Sequence, residues 1–458
     1  MNWGKVKLGS ILTESKVISE NPDTNKRIKV RLKVLGVEKR GIENEVEGAT
    51  KQFIRRAGQF IFGKQNFHKG AFGIVPDELD GFESSSDLPA FDIDKSCLPE
   101  FLFYFFKQGN YYLELSKIAY GVATQRINMK EFFELEIPLP DIEIQKQIIS
   151  QFKTLENGGL KISSELTHQL DLIKQMRKAF LREAMQGKLV KSTNTKETGQ
   201  QLLTKIKAEK VKLITENLPA GKAGKLKKDP PAGRAGKELA PITEDEIPFE
   251  IPEHWAWCRL GETIYDTDSG KSPNCLNEPV IEKQWGVIKT TAVQEMFFLE
   301  NENKILPEKY IVNEQHKICE GDILITRAGP KNRVGVVCCV ENLTKNLILS
   351  DKTIRIKFSK KLLSPKYFTI ALNSPLIKKL IEKKMTGMAD SQVNITQDNI
   401  KGFTIPLPPL QEQELIVTKL EELMAYCDGL EQSIKESQGY NEMLLQQVLR
   451  EALQGEEV

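Results

Sequence analysis

Apolar residues recur at Ile148, Phe152, Leu155, Ile162, Leu166, Met176 and Phe180, and again, 268 residues later, at Ile416, Leu420, Leu423, Leu430, Ile434, Leu444 and Val448. Steps of three, four and seven are the period of an α-helix with one apolar stripe, so each stretch predicts a long helix. The flanks repeat at the same offset. Ile137-Pro138-Leu139-Pro140 falls on Ile405-Pro406-Leu407-Pro408, and the run LREAMQG ending at Gly187 falls on LREALQG ending at Gly455. Proline suits the approach to a first turn, because it has no N–H to lose there and disfavours helix in the residue before it. The terminal glycines suit C-caps. Unbroken, residues 142–186 make a rod of roughly 65 Å, while Gly158-Gly159, and Gly439 in the second copy, admit a kink or break. A narrow stripe on so long a helix cannot be buried alone. Each copy offers the other as partner, which predicts an antiparallel coiled coil; in the competing arrangement each stripe packs on its own neighbouring domain.

The repeat extends upstream. At offset 266, Pro99 to Leu102 matches Pro365 to Phe368, and GVATQRIN (121–128) matches GMADSQVN (387–394). Ala57 to Phe62 matches Glu320 to Ile325 as a turn followed by a strand, and Trp3 to Gly9 echoes Trp255 to Gly261. Short β-rich runs at 29–37, 60–63 and 72–75, then at 286–290, 322–326, 334–340 and 353–358, alternate with turns and helices. The fold class expected is therefore α+β: two similar globular domains of mixed α/β content, in a pseudo-two-fold repeat, joined by two long paired helices. The boundaries expected are 1–137 and 241–404 for the globular domains, 138–240 for the central helical region and linker, and 405–458 for the C-terminal helix. Within the central region, Leu202, Ile206, Val211 and Ile214 have helical spacing, and 218–241 has the Gly, Ala, Lys and Pro content of a mobile linker.

Composition agrees with several folded domains: 458 residues, 40% hydrophobic and 28% charged. With no apolar signal core and no run long enough to span a bilayer, the expected location is the cytoplasm, with no membrane partner. Seven scattered cysteines and four histidines suggest neither a disulfide framework nor a zinc site. The net charge of +2 is small, but residues 188–240 hold 13 Lys and Arg against 5 Asp and Glu. Binding to a polyanion depends on where charge sits rather than on its total.

Catalysis needs a nucleophile, base or metal cluster at a working spacing. The chain has no GxxxxGK[ST] loop and no HExxH, and its histidines, at 68, 168, 254 and 316, do not repeat between halves. Asp229-Pro230-Pro231-Ala232 superficially resembles the Asp/Asn-Pro-Pro-aromatic motif of amino-methyltransferases, but it lacks the aromatic and lies in the linker. Polar residues do recur where each globular domain turns toward its helix: Thr124, Gln125 and Arg126 against Asp390, Ser391 and Gln392. Arginine and glutamine can read guanine and adenine edges bidentately, although the same residue types also cap helices. Arg55, Arg56, Lys64 and Lys69, then Lys289, Arg327, Lys331 and Arg333, flank the β-rich runs and are candidates for phosphate contacts.

The doubled IPLP with its EIQKQ or QEQ continuation, the doubled LREA[ML]QG, the phrase IPFEIPEHWAWCRLG (247–261) and the turn GDILITRAG (321–329), taken in order, resemble the DNA-specificity subunit of type I restriction–modification systems. That resemblance spans nearly the whole chain. It implies two target-recognition domains, each reading one half of a split sequence in double-stranded DNA, with two helices that set their separation and dock modification subunits. It implies no active site and no cofactor here: S-adenosylmethionine, ATP and Mg would belong to partner methyltransferase and restriction/translocase subunits. Two other classes compete with this reading: a two-headed coiled-coil scaffold for proteins, without DNA binding, and an enzyme such as a nuclease.

Overall fold

In the computed structural model, which describes residues 3–41, 51–120, 125–191, 197–216, 239–281 and 283–454, both Ile-Pro-Leu-Pro phrases complete a two-stranded antiparallel ribbon. Glu136–Pro138 pairs with Lys5–Lys7, with Val6 opposite Ile137. Thr404–Leu407 pairs with Ala256–Arg259, with Trp257 opposite Pro406. Proline is tolerated because each ribbon has only two strands, so one side of each strand needs no ladder donor. The chain divides into two units, Met1–Leu170 with Gln432–Val458, and Asp171–Glu431.

Each unit holds a four-stranded antiparallel sheet of one connectivity. In the first the order is Leu12–Glu14, Ala90–Ile93, Phe60–Phe62, Phe72–Ile74; in the second it is Ile264–Ser269, Thr353–Phe358, Ile323–Thr326, Val337–Cys339. The helices Pro99–Lys107 and Pro365–Asn373 follow at corresponding places. The cores differ in material. The first packs Phe60, Phe62, Phe67, Phe72, Phe106 and Phe132 ring against ring, whereas the second is mostly aliphatic around Tyr367 and Phe368. The second unit also carries a small mixed sheet, Trp285–Ile288 with Asn303–Ile305 antiparallel and Asn346–Ile348 parallel. The helix Gly199–Glu216 buries Leu202 and Ile206 in the second unit's core and leaves Val211 exposed. Most of the expected linker lies outside the described residues, as does Gly455.

The run at 29–37 is not the single strand its alternation suggests. Ile28–Val30 and Val37–Lys39 form a hairpin, and Arg31 to Gly36 turn between them with Gly36 at φ 92°.

Ile142–Met185 and Leu410–Gln454 are continuous helices of 44 and 45 residues, and Gly158-Gly159 interrupts nothing. The reason is local. A Cβ on Gly159 would meet Leu445 Cδ1 at 2.6 Å, and Asn441 Nδ2 donates to the Gly159 carbonyl at 3.1 Å, so the glycine lets the second helix lie against the first. Within the second unit Arg177 bonds Glu431 and Asp428 at 2.6 Å each. In each unit the contacts move down the second helix as they move up the first, so the pairing is antiparallel. Buried or half-buried positions at steps of seven mark the seam: Phe152, Gly159 and Leu166 with Val448, Asn441 and Ile434 in the first unit, and Ile173 and Phe180 with Cys427 and Leu420 in the second.

That seam corrects part of the apolar stripe. Leu155, Ile162 (52% exposed), Met176 and Leu444 (60% exposed) lie outside it. Matching apolar letters at offset 268 passes over the mixed pairs Gly159/Cys427 and Ile173/Asn441, and the phase it infers drifts accordingly. Both expected arrangements hold at once near the helix ends. Ile148, Phe152 and Leu449 enter the first unit's core, while Ala184, Met185, Ile416 and Leu420 enter the second's.

Candidate nucleic-acid interface

A buried glutamine fastens each unit to its long helix. Gln145 is fully buried; its Nε2 donates to Ser96 O (2.8 Å) and Pro140 O (2.7 Å), and its Oε1 accepts from Leu98 N (2.8 Å). Gln413, 268 residues on, donates to Pro408 O (2.9 Å) and accepts from Ser364 N (3.0 Å). These are the central glutamine of the EIQKQ stretch and the last glutamine of the QEQ stretch, whose chemistry the sequence left unassigned. Each side chain satisfies backbone groups that helix starts leave without partners.

The polar candidates converge on the loop after the sheet's third strand. In the first unit residues 63–71 are closed by Gly63 N to Ala71 O (2.9 Å), and the Lys64 carbonyl accepts from Ile127 N (2.9 Å), which seats the hairpin of Ala119–Tyr120 and Arg126–Ile127 on the loop. In the second, Thr326 N donates to Val336 O (3.0 Å) and the Arg327 carbonyl accepts from Ile395 N (2.9 Å), seating the hairpin of Thr386–Ala389 and Gln392–Asn394. Lys64 and Arg327 are thus structural counterparts. The hairpin bonds also reset the internal alignment. Ile127 matches Ile395, so Arg126 corresponds to Asn394 rather than Gln392, and the second hairpin carries two additional residues. A register shift between Thr386 and Ala389 absorbs them.

In the first unit Lys64, Tyr120, Arg126 and Lys130 line an open depression of about 450 Å³. Gln125, next to Arg126 in the chain, is exposed, and Arg126 lies 3.6 Å from Asp87. Tyr120, 61% exposed, and Lys130 went unnoticed in the sequence; a single tyrosine between Ala119 and Gly121 carries no periodic signal. Thr124 lies outside the described residues. In the second unit Lys331, with Nζ 3.8 Å from Asp390, sits against the turn bearing exposed Ser391 and Gln392, and Arg327 Nε is buried with no hydrogen-bond partner among the described residues.

Other candidates are committed elsewhere. Arg55 is 1% exposed, and its guanidinium donates to Ser84 Oγ (2.7 Å), Ser15 O (2.9 Å) and Leu88 O (3.1 Å), with burial pulling its pKa down to about 10. It is framework, and a phosphate cannot reach it. Arg333 likewise spends its Nη2 on Thr290 O (2.8 Å) and Val293 O (2.7 Å). Arg56 lies 3.3 Å from Asp80 and Lys289 3.8 Å from Glu302, while Lys69 is exposed. A run of basic letters cannot distinguish an arginine that ties loops together from one that faces solvent, because both need the same flanking polarity. Among the described residues no His, Cys, Asp and Glu gather as a metal site, and no helix is long and apolar enough to cross a membrane.

Comparison with known proteins bears on this arrangement. The specificity subunit of the type I restriction enzyme EcoEI from Escherichia coli is 40% identical over 270 residues, 59% of this chain and 43% of that protein. The EcoAI specificity subunit, also from Escherichia coli, is 29% identical over 282 residues, 60% of this chain and 44% of that protein. The chain thus matches less than half the length of either relative. The HsdS subunit from Thermoanaerobacter tengcongensis shares the fold, with a TM-score of 0.55 at 16% identity, over 100% of this chain and 97% of that one. A family model described as the type I restriction modification DNA specificity domain matches residues 2–172 and 271–437, and with both halves of its repeat so covered the chain belongs to that family.

Proposed function

We propose that this chain is the non-catalytic specificity subunit of a type I restriction–modification complex, acting in the cytoplasm. Each unit reads one half of a split target in double-stranded DNA, and partner subunits carry out adenine methylation and restriction. The target-recognition domains are assigned to 1–137 and 241–404, with 138–240 and 405–458 supplying the helices that hold them and the surface for modification subunits. S-adenosylmethionine, ATP and Mg are the partners' cofactors. The observation that carries the reading is the pair of matching loops, one with Lys64, Gln125 and Arg126, the other with Arg327, Lys331, Ser391 and Gln392, on one backbone frame. Two similar scaffolds with different polar ends suit two different half-sites. The continuous helices suit a fixed spacing, since half-sites a helical turn apart must be met on one face of the duplex.

The test is the methylome of cells carrying this chain with its methyltransferase partner, compared with cells lacking only this chain. A split methylated sequence that disappears with the chain is the expected result. If none depends on it, and the purified complex shows no salt-dependent DNA binding, the scaffold reading replaces this one.

A further inference from the structure

Residues 26–40, KRIKVRLKVLGVEKR, carry seven lysines and arginines against one glutamate. They form the hairpin Ile28–Val30 and Val37–Lys39, and its turn has an uncommon backbone: Lys33 and Val34 both stand at φ 57°. The left-handed region is costly for a side chain with a Cβ, most of all a branched one. Two bonds hold the turn there, Lys33 N to Lys69 O (2.9 Å) and Val34 N to Gly70 O (2.8 Å). Gly70, at φ 79°, permits the approach, since a Cβ on it would lie 2.9 Å from Val34 N. Val34 packs toward the phenylalanine core, while Leu32 and Leu35 are turned outward, Leu35 63% exposed, beside Arg31, Lys33 and Lys69.

The second unit repeats the device with other residues. Met296 stands at φ 75° and donates its N–H to Val337 O (3.1 Å). Gln294 N donates to Phe297 O (3.0 Å) to close the turn, and the two Arg333 bonds to Thr290 and Val293 brace it. Phe297 is 55% exposed at its tip. In both units the turn docks where the chain leaves the loop that carries Lys64 or Arg327.

We infer that these turns are wedges that enter the DNA base stack, Leu35 with Leu32 at one half-site and Phe297 at the other. The inference rests on the DNA-reading function proposed above. Apolar side chains on basic elements unstack a base step and kink the duplex, while flanking cations neutralise phosphates. A turn pinned by backbone bonds gives up little freedom on insertion. Charge favours DNA as the occupant over a partner protein at the first wedge, which sits on a segment of net +6, seven basic residues less one acidic, with Arg27 spent on buried Glu83, and shares its loop with the candidate reading residues. The second wedge, flanked by Glu295 and Glu300, rests on its place beside the loop that carries Arg327, Lys331 and Arg333.

The test uses the full complex on a duplex bearing the split sequence it methylates, with 2-aminopurine placed step by step through each half-site. The expected result is one brightened, unstacked step per half-site. Leu35→Ala abolishes it in the first half-site only and Phe297→Ala in the second only. Each variant binds roughly tenfold more weakly with an unchanged salt slope, and Leu35→Met restores the signal. Lys33→Ala does the reverse, lowering the slope by about one while the step stays bright. Salt-dependent binding without a brightened step, or with one that both alanine variants retain, overturns the wedges and leaves DNA reading standing. A parent complex that neither methylates a split sequence nor binds DNA overturns both. Loss of partner subunits from the Leu35→Ala complex makes the surface a protein contact and overturns the wedge.

Discussion

Residues 63–71 and 326–336 hold the same place in their units and share a backbone, but few side chains. Both are closed by a bond from the first residue's N–H to the last residue's carbonyl, both lend the carbonyl of their second residue to a hairpin, and both return through a left-handed glycine, Gly70 at φ 79° and Gly335 at φ 80°. Yet before that glycine one loop reads Lys-Gln-Asn-Phe-His-Lys and the other, two residues longer, Arg-Ala-Gly-Pro-Lys-Asn-Arg-Val. The difference shows how a duplicated scaffold diverges. Main-chain bonds and one conformationally free residue specify the loop's path. Its outward side chains, relieved of structural duty, are open to change.

The comparison sharpens first at the glutamines, the residues the two units keep in common. Gln145→Ala strands one amide N–H and two carbonyls in the interior and is expected to lower stability by about 3 kcal/mol; Gln413→Ala strands fewer groups and costs about 2 kcal/mol. Denaturant unfolding of the intact chain measures both, and a reversed order would break the equivalence. Next come the arginines. Arg55→Met destabilises by about 2 kcal/mol through its stranded partners and leaves the salt slope of DNA binding alone. Arg327→Ala leaves stability within about 0.5 kcal/mol and lowers the slope by about one. Equal salt slopes for the two variants would show that Arg327 is framework too. The smallest effect is electrostatic and belongs to the second unit alone. Hydrogen bonds from Arg259, then from Thr243, hold the Glu246 carboxyl down to about 2. A carboxylate lowered in the folded state contributes stability above its unfolded value, lost as pH falls through the folded one. Parent and Glu246→Gln should therefore differ at about pH 6 and converge as the pH is taken from roughly 4.5 toward 2. A gap that persists in acid would assign the effect to packing.

Much of the architecture was legible because it was written twice. Helix period, proline lead-ins and terminal glycines each have a local physical cause, and repetition at one offset told signal from chance. The seam of the helix pair was legible only in outline, since glycine and asparagine occupy seam positions for steric and hydrogen-bonding reasons that hydropathy does not record. The candidate site was half legible. Lys64, Gln125, Arg126, Arg327, Lys331, Ser391 and Gln392 do gather by unit, but Arg55 and Arg333 turned inward and Tyr120 was missed. Equivalence across the hairpins was misjudged by two residues, because an ungapped match of similar letters conceals a bulge.

What the sequence determined alone was periodic or duplicated: two globular units of mixed content, two long helices and their family. Tertiary structure decided which arginine faces inward, which leucine faces outward, and which loop meets which hairpin. Those outcomes depend on contacts between residues tens to hundreds of positions apart, and on backbone bonds to which side-chain identity contributes almost nothing.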